Sequence, residues 1–355
     1  MRVAIVGFPY SGKTAVYRAV TGLSREQIRP TEENLAAIKI PEPRLDFLAE
    51  LFKPKRKTEA TMDFVDLPGS AEGEREQAGL SKHLPTLRES DALLMVVRAF
   101  DSPSVLPHQG RVDPQGDLQQ LRDELLLADL AICAARIDRL EKAVTKPTKD
   151  VEQLKHELAL LARCRDALEN EKPLLNVVQP GEEKKMLRAF GFLTQKPEVL
   201  IINVNEEQAA APPPFRDAYA YATFAICAPL EADLISMAPA DRAGFMQDYG
   251  IQALARDRIV RACFDALGMI NFLTGGPGGE EVRAWPIPKG ATAVEAAGKI
   301  HTDIARGFIR AEAIAYDDLR AAGSLREAKA ANKVRQEHKN YVVQDGDVIT
   351  FKFSA

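Results

Sequence analysis

Residues 3–20 read VAIVGFPYSGKTAVYRAV, and this stretch decides the fold. Val3 to Val6 form a short apolar run of the kind a buried strand makes, and Ala15 to Val20 resume apolar spacing at helical period. Between them, Gly7-Phe8-Pro9-Tyr10-Ser11-Gly12-Lys13-Thr14 fits GxxxxGK[ST] and follows a strand and precedes a helix, where a phosphate-binding loop belongs. Gly7 and Gly12 allow conformations and close approaches that a Cβ would block. The loop (Gly7, Pro9, Tyr10, Ser11, Gly12, Lys13, Thr14, Ala15) is therefore expected to wrap a polyphosphate in backbone N–H groups, aided by the positive end of the helix. Lys13 would meet the β and γ phosphates, and the Thr14 hydroxyl would ligate Mg²⁺.

Working outward, short apolar runs recur with helical or polar segments between them: IKI (38–40), MDFVDLP (62–68), ALLMVVRAF (92–100), VLIINVN (199–205) and YATFAICA (221–228). That alternation predicts an α/β fold with a doubly wound, mainly parallel sheet. About 90 residues between the fourth and fifth runs (counting Val3–Val6 as the first) carry helix signals alone, which predicts an inserted helical hairpin. Leu118, Leu121 and Leu125 begin one helix; Val151, Leu154, Leu158, Leu161 and Leu168 space the other. In TKPTKD (145–150), Pro147 ends the first helix and Asp150 can cap the second. The Gly-rich TGGPGGEE (274–281) reads as a linker, and the remainder alternates strand, helix, strand, strand as a small α+β module. The expected domains are a discontinuous nucleotide-binding domain (1–113 and 196–275), the hairpin (114–195) and the C-terminal module (276–355).

Asp66-Leu67-Pro68-Gly69 ends the third run, where a DxxG element belongs in a nucleotide switch. Asp66 would hold Mg²⁺ through water and the Gly69 amide would meet the γ-phosphate. Thr31 reads equally as a switch threonine closing over Mg²⁺ and as a helix cap. Asn203-Val204-Asn205-Glu206 ends the fifth strand, in the place of the NKxD element whose Asp accepts two bonds from guanine. Glu206 is one methylene longer, and an amide such as Asn203 suits the mixed donor and acceptor edge of adenine. The site leans toward ATP, with GTP as the alternative. No residue reads as an evident water-positioning base; His83, four residues after Gly79 in the second switch region, is a candidate, and reads as a helix-surface or core histidine before that.

The bulk properties exclude little beyond this. With 355 residues, 46% of them hydrophobic and 28% charged, and a formal net charge of -4, the chain suits an ordinary globular protein without a global grip on DNA or membrane. No apolar run reaches the length of a membrane span and none resembles a signal peptide, so a cytoplasmic location is expected. Cys133, Cys164, Cys227 and Cys263 lie far apart, which predicts buried thiols rather than zinc ligands or disulfides.

The residues resemble the Obg-like ATPases of the YchF type, a branch of the translation-factor-related GTPases, over nearly the whole chain. The likeness rests on GFPYSGKT, PEPRLDFLAELFKPKR (41–56), DFVDLPG (63–69), LRESDALLMVVRAF (87–100), NVNE, and above all RAWPIPKGATAVEAAGKIHTDIARGFIRAEAIAYDDL (283–319) and YVVQDGDVITFKF (341–353). It implies a G-domain with a helical insertion and a C-terminal TGS domain of ubiquitin-like fold. It also implies ATP hydrolysis without the usual catalytic glutamine, and association with ribosomes. Three departures stand out: Tyr10 replaces the Asn that serves as a potassium ligand, Ser70 and AEGEREQAGL (71–80) alter the second switch, and TEENLAAIK (31–39) replaces the family's TIEPNVG.

Three readings follow. The favoured one is a slow Mg²⁺-dependent ATPase switch. A conventional GTPase regulator is the second. The third is a module for RNA or the ribosome, acting through the helical and TGS domains, with nucleotide as a minor ligand; Arg283, Lys289, Lys299, Arg306, Arg310 and the cations of 320–339 suit it, as they suit a solvated helix face. Trp285 and Tyr316 read as packing residues of the small domain before nucleotide-stacking ones.

Overall fold

The structure, a computed structural model, describes residues 1–68, 80–146, 150–209, 211, 212, 214–249, 251 and 253–354. The chain divides into two compact units, Met1–Ala36 with Asp63–Ile259, and Ala37–Met62 with Val260–Ala355.

The first unit is built on a sheet of β1 (Arg2–Val6), β2 (Asn34–Lys39), β4 (Thr61–Asp66), β5 (Ala92–Arg98), β6 (Glu198–Asn203) and β7 (Ala222–Ile226), in the order β2-β4-β1-β5-β6-β7. The pairs β4–β1, β1–β5, β5–β6 and β6–β7 are parallel. Both faces are covered, so Val3 to Val6 and Leu93 to Val97 are almost wholly buried, as continuous apolar strands in such sheets are. Because β1 lies between β4 and β5, the loop after β1 opens at the carboxyl end of the sheet where the strand order reverses, the place where α/β proteins bind ligands.

The inserted helices span Pro114–Ala143 and Val151–Glu169. The first has two jobs along its length. Leu118, Leu121 and Leu125 pack on the sheet's core beside Leu93, Met95 and Leu193, so these leucines belong to the nucleotide domain rather than to a seam of the hairpin. About two to four turns further on, Cys133, Ile137 and Leu140 pack with Leu160, Leu161, Cys164 and Leu168 of the second helix. Fully buried Asp129 marks the changeover, accepting bonds from Arg88 Nη1 (2.9 Å), Thr194 N (2.8 Å) and Thr194 Oγ1 (2.9 Å). Asp150 stands at the N-cap of the second helix without a side-chain capping bond; Pro147 lies outside the described residues.

The second unit is a mixed sheet of β3 (Arg56–Thr58), β8 (Met269–Thr274), β9 (Glu281–Pro288), β10 (Phe308–Ala315), β11 (Arg335–Glu337) and β12 (Asp347–Phe353), ordered β11-β10-β12-β8-β9-β3. β8 and β9 pair antiparallel from Met269↔Pro288 to Thr274↔Arg283, so the Gly-rich 274–281 stretch is a hairpin connection within one sheet, not a linker between domains. β8 has no alternating pattern and was not legible as a strand. The helix Arg44–Phe52 lays Leu45, Leu48 and Phe52 against Leu273, Val282, Ala284 and Val348. The opposite face is covered by the helix Ala293–Ile300. The segment 41–56, expected in the nucleotide domain, thus packs in the unit that holds the C-terminal sheet. Trp285 donates from Nε1 to Thr274 Oγ1 at 2.9 Å, and Tyr316 meets Phe47 edge-on at 5.7 Å, as packing residues do.

Candidate nucleotide-binding site

The loop after β1 is tightly fitted. A Cβ on Gly7 would stand 2.4 Å from Val96 O and 2.7 Å from Ser11 Oγ, so only glycine fits this close approach. Gly12, at the N-cap of the helix Lys13–Thr21, has φ +94°, and a Cβ there would fall 2.1 Å from Asn203 Nδ2. Tyr10 also has positive φ, 63°, with its side chain 61% exposed; a bulky residue is costly in that region.

Lys13 is only partly covered, but its ammonium end lies deep among protein atoms. Nζ donates to Phe8 O at 2.9 Å, and burial lowers its pKa to about 8, with Asp66 opposing. Thr14 Oγ1 donates to Asp66 Oδ2 at 2.8 Å. Asp66 is 2% exposed, and burial raises its pKa against the opposing effects of Thr14 and Lys13. Among the described residues, Asp66 Oδ1 and the buried Ser11 Oγ have no hydrogen-bond partner. A cation, two orphaned oxygens and a glycine cradle therefore share one cluster, and they fit a metal–polyphosphate group. The described residues contain no group of three or more His, Cys, Asp or Glu able to hold a metal. Mg²⁺ needs no such cage when phosphate oxygens share its coordination.

Residues 2–204 match the family described as "50S ribosome-binding GTPase", and residues 269–354 match the YchF-GTPase C-terminal family, described as "Protein of unknown function (DUF933)". The chain is 38% identical to the ribosome-binding ATPase YchF of Escherichia coli O157:H7, over 99% of each chain. It is 35% identical to the same-named protein of Bacillus subtilis, over 100% of this chain and 99% of that one. The chain belongs to the YchF family of Obg-like ATPases. The structure of the Schizosaccharomyces pombe YchF GTPase superposes with a TM-score of 0.81 at 27% identity, covering 99% of this chain and 97% of that one.

In the NVNE segment, Asn203 is bonded within the protein. Asn203 is 1% exposed; its Nδ2 donates to Ser11 O at 3.0 Å and its Oδ1 accepts from Ala228 N at 3.1 Å. It ties the loop after β1 to the helix Ala228–Ser236. A cleft of about 380 Å³ opens beside it, lined by Phe100, Asn203, Val204, Asn205, Glu206 and Pro229, among others. Glu206 is exposed at the start of a short helix and Val204 is buried. Thr31 is an exposed turn residue that does not line the cavity at Lys13, and Gly69 lies outside the described residues.

A cavity of about 90 Å³ beside the loop is lined by Gly7, Pro9, Lys13 and Leu67 together with His83, His108, Gln120 and Glu124. His83, half-buried with its pKa lowered by burial, is thus nearer the chemistry than its sequence context suggested. His108 was missed altogether. Its ring stacks on Phe8 at 4.2 Å and 5°, and among the described residues neither buried nitrogen has a hydrogen-bond partner. No local motif marks it, and the available signal was spatial: it follows the strand next to the phosphate loop. The four cysteines are buried and unpaired; burial pushes the Cys263 thiol up to about 12.

Proposed function

We propose that this chain binds a Mg²⁺–purine nucleoside triphosphate, ATP before GTP, and hydrolyses it slowly as a switch that acts on the ribosome. The observation that carries the reading is the phosphate-loop cluster, where a buried ammonium and two orphaned oxygens face a cradle that only glycine permits. Thr14 and Asp66 would hold Mg²⁺, which when bound neutralises charge on the phosphates. Lys13 leaves Phe8 O for the β and γ oxygens, and a polyanion beside it restores the charge that burial disfavours. The amides of the loop orient the phosphates, and Asn203 keeps the loop in register while Val204, Asn205 and Glu206 meet the base. His108, which lines the cavity, has the position and unused nitrogens to orient a water.

The curated relatives are named ribosome-binding ATPases, which supports the choice of ATP and of the ribosome; contact through the hairpin and a TGS-type C-terminal domain is part of the proposal. No described helix is long and apolar enough to cross a membrane. Phosphate release from ATP and from GTP, by wild type and Lys13→Ala, tests the activity. Loss in the variant and a preference for ATP are expected; equal rates in both proteins would assign the activity to a contaminant. Cosedimentation with ribosomal subunits should weaken as salt rises.

A further inference from the structure

The strand β5 ends in Arg98, 2% exposed, whose guanidinium is turned inward to its own following loop. Nε donates to Phe100 O at 3.0 Å, Nη2 to Val105 O at 2.8 Å and Nη1 to Leu106 O at 3.2 Å, and the guanidinium carbon lies 4.3 Å from the centre of the Phe100 ring. Three carbonyls of one nine-residue excursion therefore converge on a single planar fork. Burial of a guanidinium is costly, and its pKa is lowered by burial; such a group needs several well-directed bonds. Phe100 lines the base cleft. Val105 and Leu106 lead, through Pro107, into the turn His108–Gly110, whose ring stacks on the phosphate loop. The far side of that turn is tied by Gln109 Nε2 to Gln120 Oε1 at 3.0 Å.

We infer that Arg98 is a positioning residue for hydrolysis: it folds the 99–107 loop so that His108 is held over Phe8 and toward the phosphate cavity. Arginine is required because a lysine ammonium on a flexible stem cannot reach three carbonyls in one plane. The side chain touches no phosphate-loop atom in any of these bonds, so its influence on turnover runs through His108, and its one link to the cleft beside Asn203 is the contact with Phe100.

The inference rests on the role given to His108 above, and one experiment separates the two. Turnover and KM for MgATP are measured on the full chain for wild type, His108→Ala, Arg98→Lys, Pro107→Gly and the Arg98→Lys/His108→Ala pair. The His108 ring protons are followed by NMR, where stacking on Phe8 shifts them upfield. His108→Ala should lower kcat about a hundredfold. Arg98→Lys should lower it about tenfold, a larger change than any in KM, and Pro107→Gly, which loosens the same loop from its surface, should do likewise. The ring signal should move toward that of free imidazole in both, and the double variant should be no slower than His108→Ala alone. Wild-type turnover in His108→Ala would remove the reading and the inference together. A slow His108→Ala beside Arg98→Lys and Pro107→Gly that keep wild-type turnover and the upfield signal would overturn the inference alone. If Arg98→Lys does not fold, Pro107→Gly and its NMR signal decide.

Discussion

Two of the charge clusters among the described residues, one in each compact unit, are built in opposite senses. In the C-terminal unit, Arg44 donates to Glu42 Oε1 at 2.5 Å and Oε2 at 2.6 Å, and to Asp345 Oδ2 at 2.8 Å and Oδ1 at 3.2 Å. Asn271 completes it, donating from N to Asp345 at 2.9 Å and from Nδ2 to Glu42 at 3.0 Å. Burial would pull Arg44 down, but its bonds to the two carboxylates outweigh it and push the group up. Asp345 ends below the usual carboxylate range, burial being outweighed by Arg44 and the Asn271 N–H. In the phosphate loop the signs reverse: Lys13 is lowered and Asp66 raised, burial dominating both. A cluster whose charges favour one another is already satisfied and is structural. One whose charges are disfavoured and whose Asp66 Oδ1 has no partner among the described residues has room for a ligand.

The largest expected effect is on the incomplete cluster. Lys13→Ala should weaken MgATP binding by about a hundredfold, or some 3 kcal/mol, while the thermal stability of the nucleotide-free protein holds or rises, because a charge that burial disfavours is removed. A large loss of stability in calorimetry would contradict the contrast. Arg44→Ala should do the reverse: it leaves Glu42, 6% exposed, without its main partner, and should cost about 3–5 kcal/mol in denaturant unfolding. Stability within experimental error of wild type would mean that the network contributes nothing.

Gly12→Ala comes next, with about 1–3 kcal/mol of backbone strain added to the collision with Asn203, read as lost stability and weaker nucleotide binding together. Asp345→Asn sharpens the comparison through pH. The folded carboxylate has the lower pKa, so its contribution is fully present above about pH 4 and is lost as pH falls through the folded value. The variant should be less stable at neutral pH and should show a shallower acid limb; an unchanged acid limb would count against the pairing. Smallest is Tyr10→Asn, which suits positive φ better and should gain about 1 kcal/mol, seen as a higher melting temperature.

The satisfied cluster was invisible in the sequence, since Glu42 and Asp345 lie some three hundred residues apart in the chain and only folding joins them. The phosphate loop was legible because backbone conformation there is dictated residue by residue: Gly7, Gly12, Lys13 and Thr14 occupy a local order that has no other use. The parallel sheet was legible for a similar reason, its buried strands being unbroken apolar runs. The position of Asn203 at a strand end was readable, but not that Ser11 O and Ala228 N would take its amide. β8 and the placement of 41–56 were missed because short apolar segments do not announce which sheet they join. His108 and Arg98 carry no pattern, and their meaning lies in which carbonyls and rings surround them.

The most direct test of the central claim is isothermal titration of nucleotide-free protein with MgATP, MgGTP and their diphosphates, beside Lys13→Ala. The account predicts saturable binding of MgATP, tighter than MgGTP and largely lost in the variant. No heat at millimolar nucleotide from folded wild type, or equal binding by Lys13→Ala, would contradict it.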